Sequence, residues 1–138
     1  MKKSSVFLFL LLSHCLFAQQ RFSKILKETP GVVSFTFRND FTKDVPGTLD
    51  YIKEMGIRNI EFSNLFGKTA AEMRVLLEAR GMVCTSFGVS YDALTNKTDA
   101  VIQDAKILGA EFVRVGMIPH KNGFSIQEAE IAVNDFNQ

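Results

Sequence analysis

Glu61 stands inside Ile60-Glu61-Phe62, a carboxylate in an otherwise apolar run. A buried carboxylate is costly unless it meets a cation, a metal or hydrogen-bond donors. Glu61 therefore reads either as an acid/base or polar ligand for a substrate, or as half of a structural ion pair with Arg38 or Arg114. His120 is the one histidine beyond residue 18, and Pro119 before it marks a loop rather than a helix. An imidazole on such a loop can move protons near neutral pH or bind sugar hydroxyls; the plainer reading is a surface bystander. Arg38, in Arg38-Asn39-Asp40, can hold a phosphate, carboxylate or hydroxyl group through its planar fork, or can simply close a rim. Glu61 and His120 are thus the candidate catalytic residues, with Arg38, Asn64 and Lys121 as candidate substrate contacts. Phe35, Phe37, Phe62 and Phe66 read as core rather than as a stacking platform.

These residues need elements to position them, and the chain supplies a repeating unit of amphipathic helix, glycine and short apolar strand. Gly31, Gly56, Gly81 and Gly109 precede strand-like runs at spacings of 25, 25 and 28 residues. The runs are Val32 to Phe37, Asn59 to Phe62, Met82 to Phe87 and Glu111 to Val115, rich in Val, Ile and Phe and too short for helices. Between them Val45, Leu49 and Ile52, then Ala70, Met73, Leu76, Leu77 and Arg80, then Val101, Ile102, Ala105 and Leu108 recur at helical spacing. Ile126, Ala129, Val133 and Phe136 begin a fourth stripe. Asp44 ahead of Pro46, Thr69 with Glu72, and Ser125 with Glu128 read as helix caps, and the glycines as left-handed helix ends.

Strict alternation of strand and helix implies a parallel sheet with right-handed crossovers. In such folds chemistry collects where strands end and the following loops begin. The strand ends are Arg38-Asn39-Asp40, Glu61 with Ser63 and Asn64, Ser86-Phe87-Gly88, and Pro119-His120-Lys121. The unit length fits an open doubly wound sheet or an eight-stranded barrel equally well. No G-x-G-x-x-G loop follows the first strand, which weakens a dinucleotide reading.

Lys2 and Lys3, the apolar run Val6 to Leu12, and Leu16-Phe17-Ala18 ahead of Gln19-Gln20 have the layout of a secretory signal peptide over 1–18. The run is too short for the roughly 20 residues that span a bilayer, so a periplasmic or secreted protein with no membrane association after cleavage is expected; a lipid-modified Cys15 is the lesser alternative. Residues 19–30 then form a lead-in and 31–138 the domain. The leader carries two of the 16 Lys and Arg and none of the 15 Asp and Glu, leaving a net charge of −1. That argues against nucleic-acid binding through phosphates. Cys84, left alone in Met82-Val83-Cys84, reads as a small buried hydrophobe, and the sequon Asn96-Lys97-Thr98 as a helix entry.

The blocks Phe35-Thr36-Phe37-Arg38-Asn39-Asp40, Asp44-Val45-Pro46-Gly47-Thr48-Leu49, Met55-Gly56, Ile60-Glu61, Gly67-Lys68-Thr69-Ala70-Ala71-Glu72, Tyr91-Asp92-Ala93-Leu94 and Ile118-Pro119-His120-Lys121 together resemble the start of the sugar phosphate isomerase/epimerase family, which is similar to xylose isomerase. The resemblance spans Gly31 to Asn137. It implies a (β/α)8 TIM barrel of which about the first four βα units are present, a small carbohydrate substrate, and a divalent metal that assists proton transfer between adjacent sugar carbons. The family draws its metal ligands mainly from later strands, so none is assigned here. Such a barrel usually takes about 250 residues, and the expectation is a truncated chain, inactive alone. The alternatives are a non-catalytic carbohydrate-binding half-barrel that pairs with itself or with a second half, and a relative that acts on keto-sugars by elimination.

Overall fold

The computed structural model describes residues 30–121 and 123–137. The expected signal peptide over 1–18 with Cys15, and the lead-in except Pro30, lie outside the described residues. Four strands, β1 (Gly31–Val33), β2 (Asn59–Phe62), β3 (Val83–Val89) and β4 (Phe112–Val115), alternate with helices α1 (Arg38–Lys43), α2 (Val45–Glu54), α3 (Ala70–Glu78), α4 (Tyr91–Asn96), α5 (Thr98–Leu108) and α6 (Ile126–Phe136). All neighbouring strands pair in parallel, in the order β1-β2-β3-β4.

The helices begin where side chains satisfy their free N–H groups. Asp44 accepts from the Gly47 amide at the start of α2, and Thr69 with Glu72, then Ser125 with Glu128, close capping boxes on α3 and α6. At the end of α5, Gly109 takes a left-handed φ of 76°, and a Cβ there would stand 2.6 Å from Arg74 Nη1. That space lets the guanidinium donate to the Leu108 carbonyl at 3.0 Å, which joins α3 to the last turn of α5. At the far end of α3, Arg80 grips both carboxylate oxygens of Asp50 on α2 at 2.8 and 2.9 Å.

The stripes of α2, α3 and α5 bury against one face of the sheet. Leu49, Ile52, Met73, Leu77 and Leu108 are sealed there with Ile60 and Phe62 of β2 and Cys84 and Phe87 of β3. Cys84 behaves as a small core residue. Its thiol donates to the Ser86 carbonyl, and burial pushes its pKa up, away from thiolate chemistry.

Several boundaries differ from the sequence reading. The first strand stops at Val33 instead of Phe37, and Ser34–Phe37 turns as a 3-10 helix straight into α1. The Ser34 hydroxyl accepts from the Ser63 amide at 2.8 Å, so a side chain takes a backbone donor just beyond β2 and the chain leaves the sheet. Phe37 then packs on the core and Phe41 is buried in it, whereas Phe35 is 57% exposed and is not core. Gly31 is the first residue of β1 rather than a left-handed helix end; a Cβ there would approach the Asn59 carbonyl to 3.2 Å. The third strand runs on to Val89 and is followed by the short helix α4, which the apolar pattern did not reveal. The fourth stripe forms its helix but does not face the core: Ile126 is 80% exposed and only Ala132 is buried. Instead α6 meets α4 through Tyr91, which donates to Asp135 and lies 5.5 Å from the Phe136 ring.

Two outcomes test this packing. Leu49→Ala should cost about 2–5 kcal/mol in a urea titration, as expected for an enclosed leucine. The Arg80 guanidinium holds the Asp50 carboxyl below its usual value. Its stabilisation is therefore complete above the unfolded-state pKa and is lost as pH falls through the lowered one. Urea midpoints measured across the acid range should fall less steeply with acid for Asp50→Asn than for the parent chain.

Candidate functional site

The second face of the sheet has a different composition. In β2, Ile60 and Phe62 point into the core, so Asn59 and Glu61 alternate to the opposite side. A register shift between Ile60 and Glu61 gives β3 an extra residue, Thr85, opposite that step. Thr85 Oγ1 donates to Asn59 Oδ1 at 3.0 Å, and Ser86 pairs with Glu61. Arg114 of β4 pairs with Gly88 of β3. This face carries Asn59, Glu61, Thr85, Ser86 and Arg114, and Glu61 and Arg114 lie toward the carboxyl ends of their strands.

Glu61 meets Arg114 across the width of β3. Nε donates to Glu61 Oε1 at 2.7 Å and Nη2 approaches the same oxygen at 2.5 Å. Gly88 lies beneath the bridge. A Cβ at that position would come 3.0 Å from the Phe62 carbonyl oxygen, 3.2 Å from Ser63 Cα and 3.6 Å from Arg114 Nη2. Glycine thus keeps three strands close and leaves the guanidinium a path between them. Of the two ion-pair partners open to Glu61 from the sequence, the structure selects Arg114. The carboxylate side chain is 21% exposed and the guanidinium 46%, so the pair is not sealed and both groups remain reachable.

The other candidates occupy three separate places. Arg38 is not in a strand-end loop: it is the first residue of α1, its guanidinium carbon 4.4 Å from the Phe35 ring centre and its Nη1 donating to the Phe35 carbonyl. The pair forms an exposed cation–aromatic plate on the segment that leaves β1. Asn64 lies two residues beyond β2, where its Oδ1 accepts from the Phe66 amide at 2.8 Å. That bond supports Phe66 at a φ of 50°, a left-handed backbone unusual for a bulky residue, while its ring stacks on Phe41 at 4.7 Å. Among the described residues the Asn64 amide nitrogen has no hydrogen-bond partner.

His120 and Lys121 lie in the segment after β4, as the sequence implied. Strand β4 ends at Val115, and Gly116 to Pro119 separate it from the histidine. Both side chains are exposed. His120 Nδ1 lies 2.9 Å from the Ile118 carbonyl; since a carbonyl only accepts, Nδ1 carries the proton and Nε2 offers its lone pair in the neutral ring. Among the described residues no hydrogen bond or ion pair joins His120 to Glu61. The structure therefore brings Glu61 together with Arg114, and leaves Arg38 at the start of α1 and Asn64, His120 and Lys121 in segments beyond the strands.

The family resemblance implies a divalent metal. Among the described residues no three His, Cys, Asp or Glu side chains converge to hold one, and the charged partner of Glu61 is itself a cation. The described residues thus offer no ligand set for such an ion. Arg114 is the residue that the sequence reading omitted from the site. Its available signal was a charge inside Phe112-Val113-Arg114-Val115, the same kind of anomaly that singled out Glu61. No family model matches the chain, and no curated protein matches it either.

A half-exposed ion pair contributes about 1 kcal/mol or less. Glu61→Gln should accordingly lower the urea-derived stability by no more than about 1 kcal/mol, with an unchanged far-ultraviolet circular dichroism spectrum. A loss of several kcal/mol would instead identify the pair as a main support of the sheet.

Proposed function

We propose that the chain is an exported carbohydrate-active protein of the sugar isomerase/epimerase type, built on the opening βα units of a (β/α)8 barrel, with Glu61 as its proton-handling carboxylate. The observation that carries this reading is the strand order β1-β2-β3-β4, entirely parallel and without reversal. Right-handed crossovers that always step in one direction put every return helix on the same side of the sheet. A doubly wound sheet reverses direction at a switch point and is covered on both faces. A barrel winds one way and keeps its second face for the interior, with function at the carboxyl ends of the strands. The polar face holding Glu61 and Arg114 corresponds to that interior.

In this reading an open-chain sugar lies along the carboxyl ends of β2 to β4. Glu61 takes a proton from the carbon beside the carbonyl to give an enediol and returns it to the former carbonyl carbon, as the hydroxyl proton of the first carbon passes to the carbonyl oxygen, so that hydroxyl and carbonyl exchange places; Asn64 and the Nε2 of His120 meet the remaining hydroxyl groups. Arg38 and Lys121 give the rim a positive bias toward electron-rich oxygens. The apolar leader over residues 6–12 after Lys2 and Lys3 supports export.

A second reading, a carbohydrate-binding half-barrel without catalysis that requires a partner, draws on the tie between Glu61 and Arg114 and on β4. In that strand Phe112 and Val113, on opposite faces, are both exposed.

The test incubates the full chain with a panel of aldoses and ketoses in deuterated water containing magnesium or manganese, and follows both sugar binding and hydrogen exchange by nuclear magnetic resonance. The expected result is binding of an aldose or ketose, weakened by Glu61→Gln. Deuterium entering at C1 or C2 of the bound sugar assigns the isomerase reading, and binding without exchange assigns the second. Absence of binding by any sugar in the panel overturns both.

A further inference from the structure

We propose that Arg114 is the anchor for the carbonyl or carboxylate oxygen of the ligand, and that the site takes the 2-hydroxy-carbonyl or 2-hydroxy-acid end of an open sugar chain. This rests on the reading of the polar sheet face as a carbohydrate site. The guanidinium has five N–H groups. Both of its contacts with Glu61, from Nε and from Nη2, fall on the single oxygen Oε1. A guanidinium and a carboxylate free to choose form two parallel bonds to two oxygens. Here the pairing is one-sided: among the described residues Nη1 has no acceptor and Glu61 Oε2 has no donor. The outer edge of the arginine and the second oxygen of the glutamate are left as a donor and an acceptor held in fixed relation by the bond between them.

The space beside that donor is also cleared. Gly116, just beyond β4, would carry a Cβ 3.1 Å from Nη1, and nothing else would lie within 4 Å of it. Gly88 clears the opposite side near Nη2. Two glycines thus flank one guanidinium, 46% of whose side chain is accessible. The complementary ligand fragment has a hydroxyl that donates to Oε2 beside an oxygen that accepts from Nη1. An aldose or ketose in open-chain form has a hydroxyl next to a carbonyl, and an aldonate has a hydroxyl next to a carboxylate. An alditol has only hydroxyls. The carboxylate answers the positive charge best, so an aldonate is the strongest expected member of the class.

The experiment measures binding of xylonate, xylose and xylitol to the full chain by titration calorimetry. Xylonate is expected to bind ahead of xylitol by roughly tenfold, the scale of one charge-assisted hydrogen bond, and xylose, mostly a closed ring in water, to bind weakly through its small open-chain fraction. Gly116→Ala places a methyl group 3.1 Å from Nη1, where a ligand oxygen would otherwise stand. It should erase most of the xylonate preference while leaving the circular dichroism spectrum and melting temperature near those of the parent. Arg114→Lys keeps the charge and a partner for Glu61 but loses the second donor edge, and should do the same. Equal binding of xylonate and xylitol by the parent chain overturns this proposal alone, and so does a preference that survives in both variants. Failure of all three compounds to bind, together with the whole aldose and ketose panel, overturns the carbohydrate reading itself.

Discussion

Parallel strands cannot be joined by tight turns, because each must return to the end of the sheet where its predecessor began. That constraint governs this molecule. Every strand is followed by at least one helix, the strands pair in chain order, and the returning helices place their apolar stripes on one side. Ile60, Phe62, Cys84 and Phe87 then have to be apolar, since they meet Leu49, Ile52, Met73 and Leu77. The intervening residues Asn59, Glu61 and Thr85 escape that demand because they lie on the opposite face of the sheet, outside the apolar core. One-sided winding thus produces both the core and the polar face, and places a carboxylate in an apolar strand without isolating its charge.

The ion pair between Glu61 and Arg114 depends on this arrangement in detail. The residues are 53 positions apart and sit on strands that are not neighbours, so the contact exists only if β3 lies between them with little bulk. Gly88 supplies the low bulk, and the extra residue at Thr85 adjusts the register so that Ser86 faces Glu61. Arg114 neutralises a cost that Glu61 would otherwise carry, yet both groups retain exposed edges. A sealed pair would be purely structural, and an unpaired carboxylate would be costly in this strand.

The limits of the sequence reading follow the same physics. The second strand, the helix stripes around Val45, Ala70 and Val101, and the caps at Asp44, Thr69 and Ser125 were legible because they rest on spacing and on contacts within a few residues. The end of the first strand was not. Phe35-Thr36-Phe37 has strand composition, but the Ser34 hydroxyl, bound to the Ser63 amide 29 residues away, ends the pairing early. The exposed stripe of α6 shows the converse error. An amphipathic pattern states which face could be buried, and it does not guarantee that a packing surface lies opposite.

The residue order by itself determined the alternation of strand and helix, hence the parallel class of the fold, and it marked Glu61 as a charge that needed a reason. Local spacing and capping encode those features, and they require no knowledge of distant neighbours. Only the tertiary structure decided which cation answers Glu61 and that Arg38 belongs to a helix. Those outcomes depend on strand order, register and the space left by Gly88 and Gly116, which are set by pairings between residues far apart in the chain.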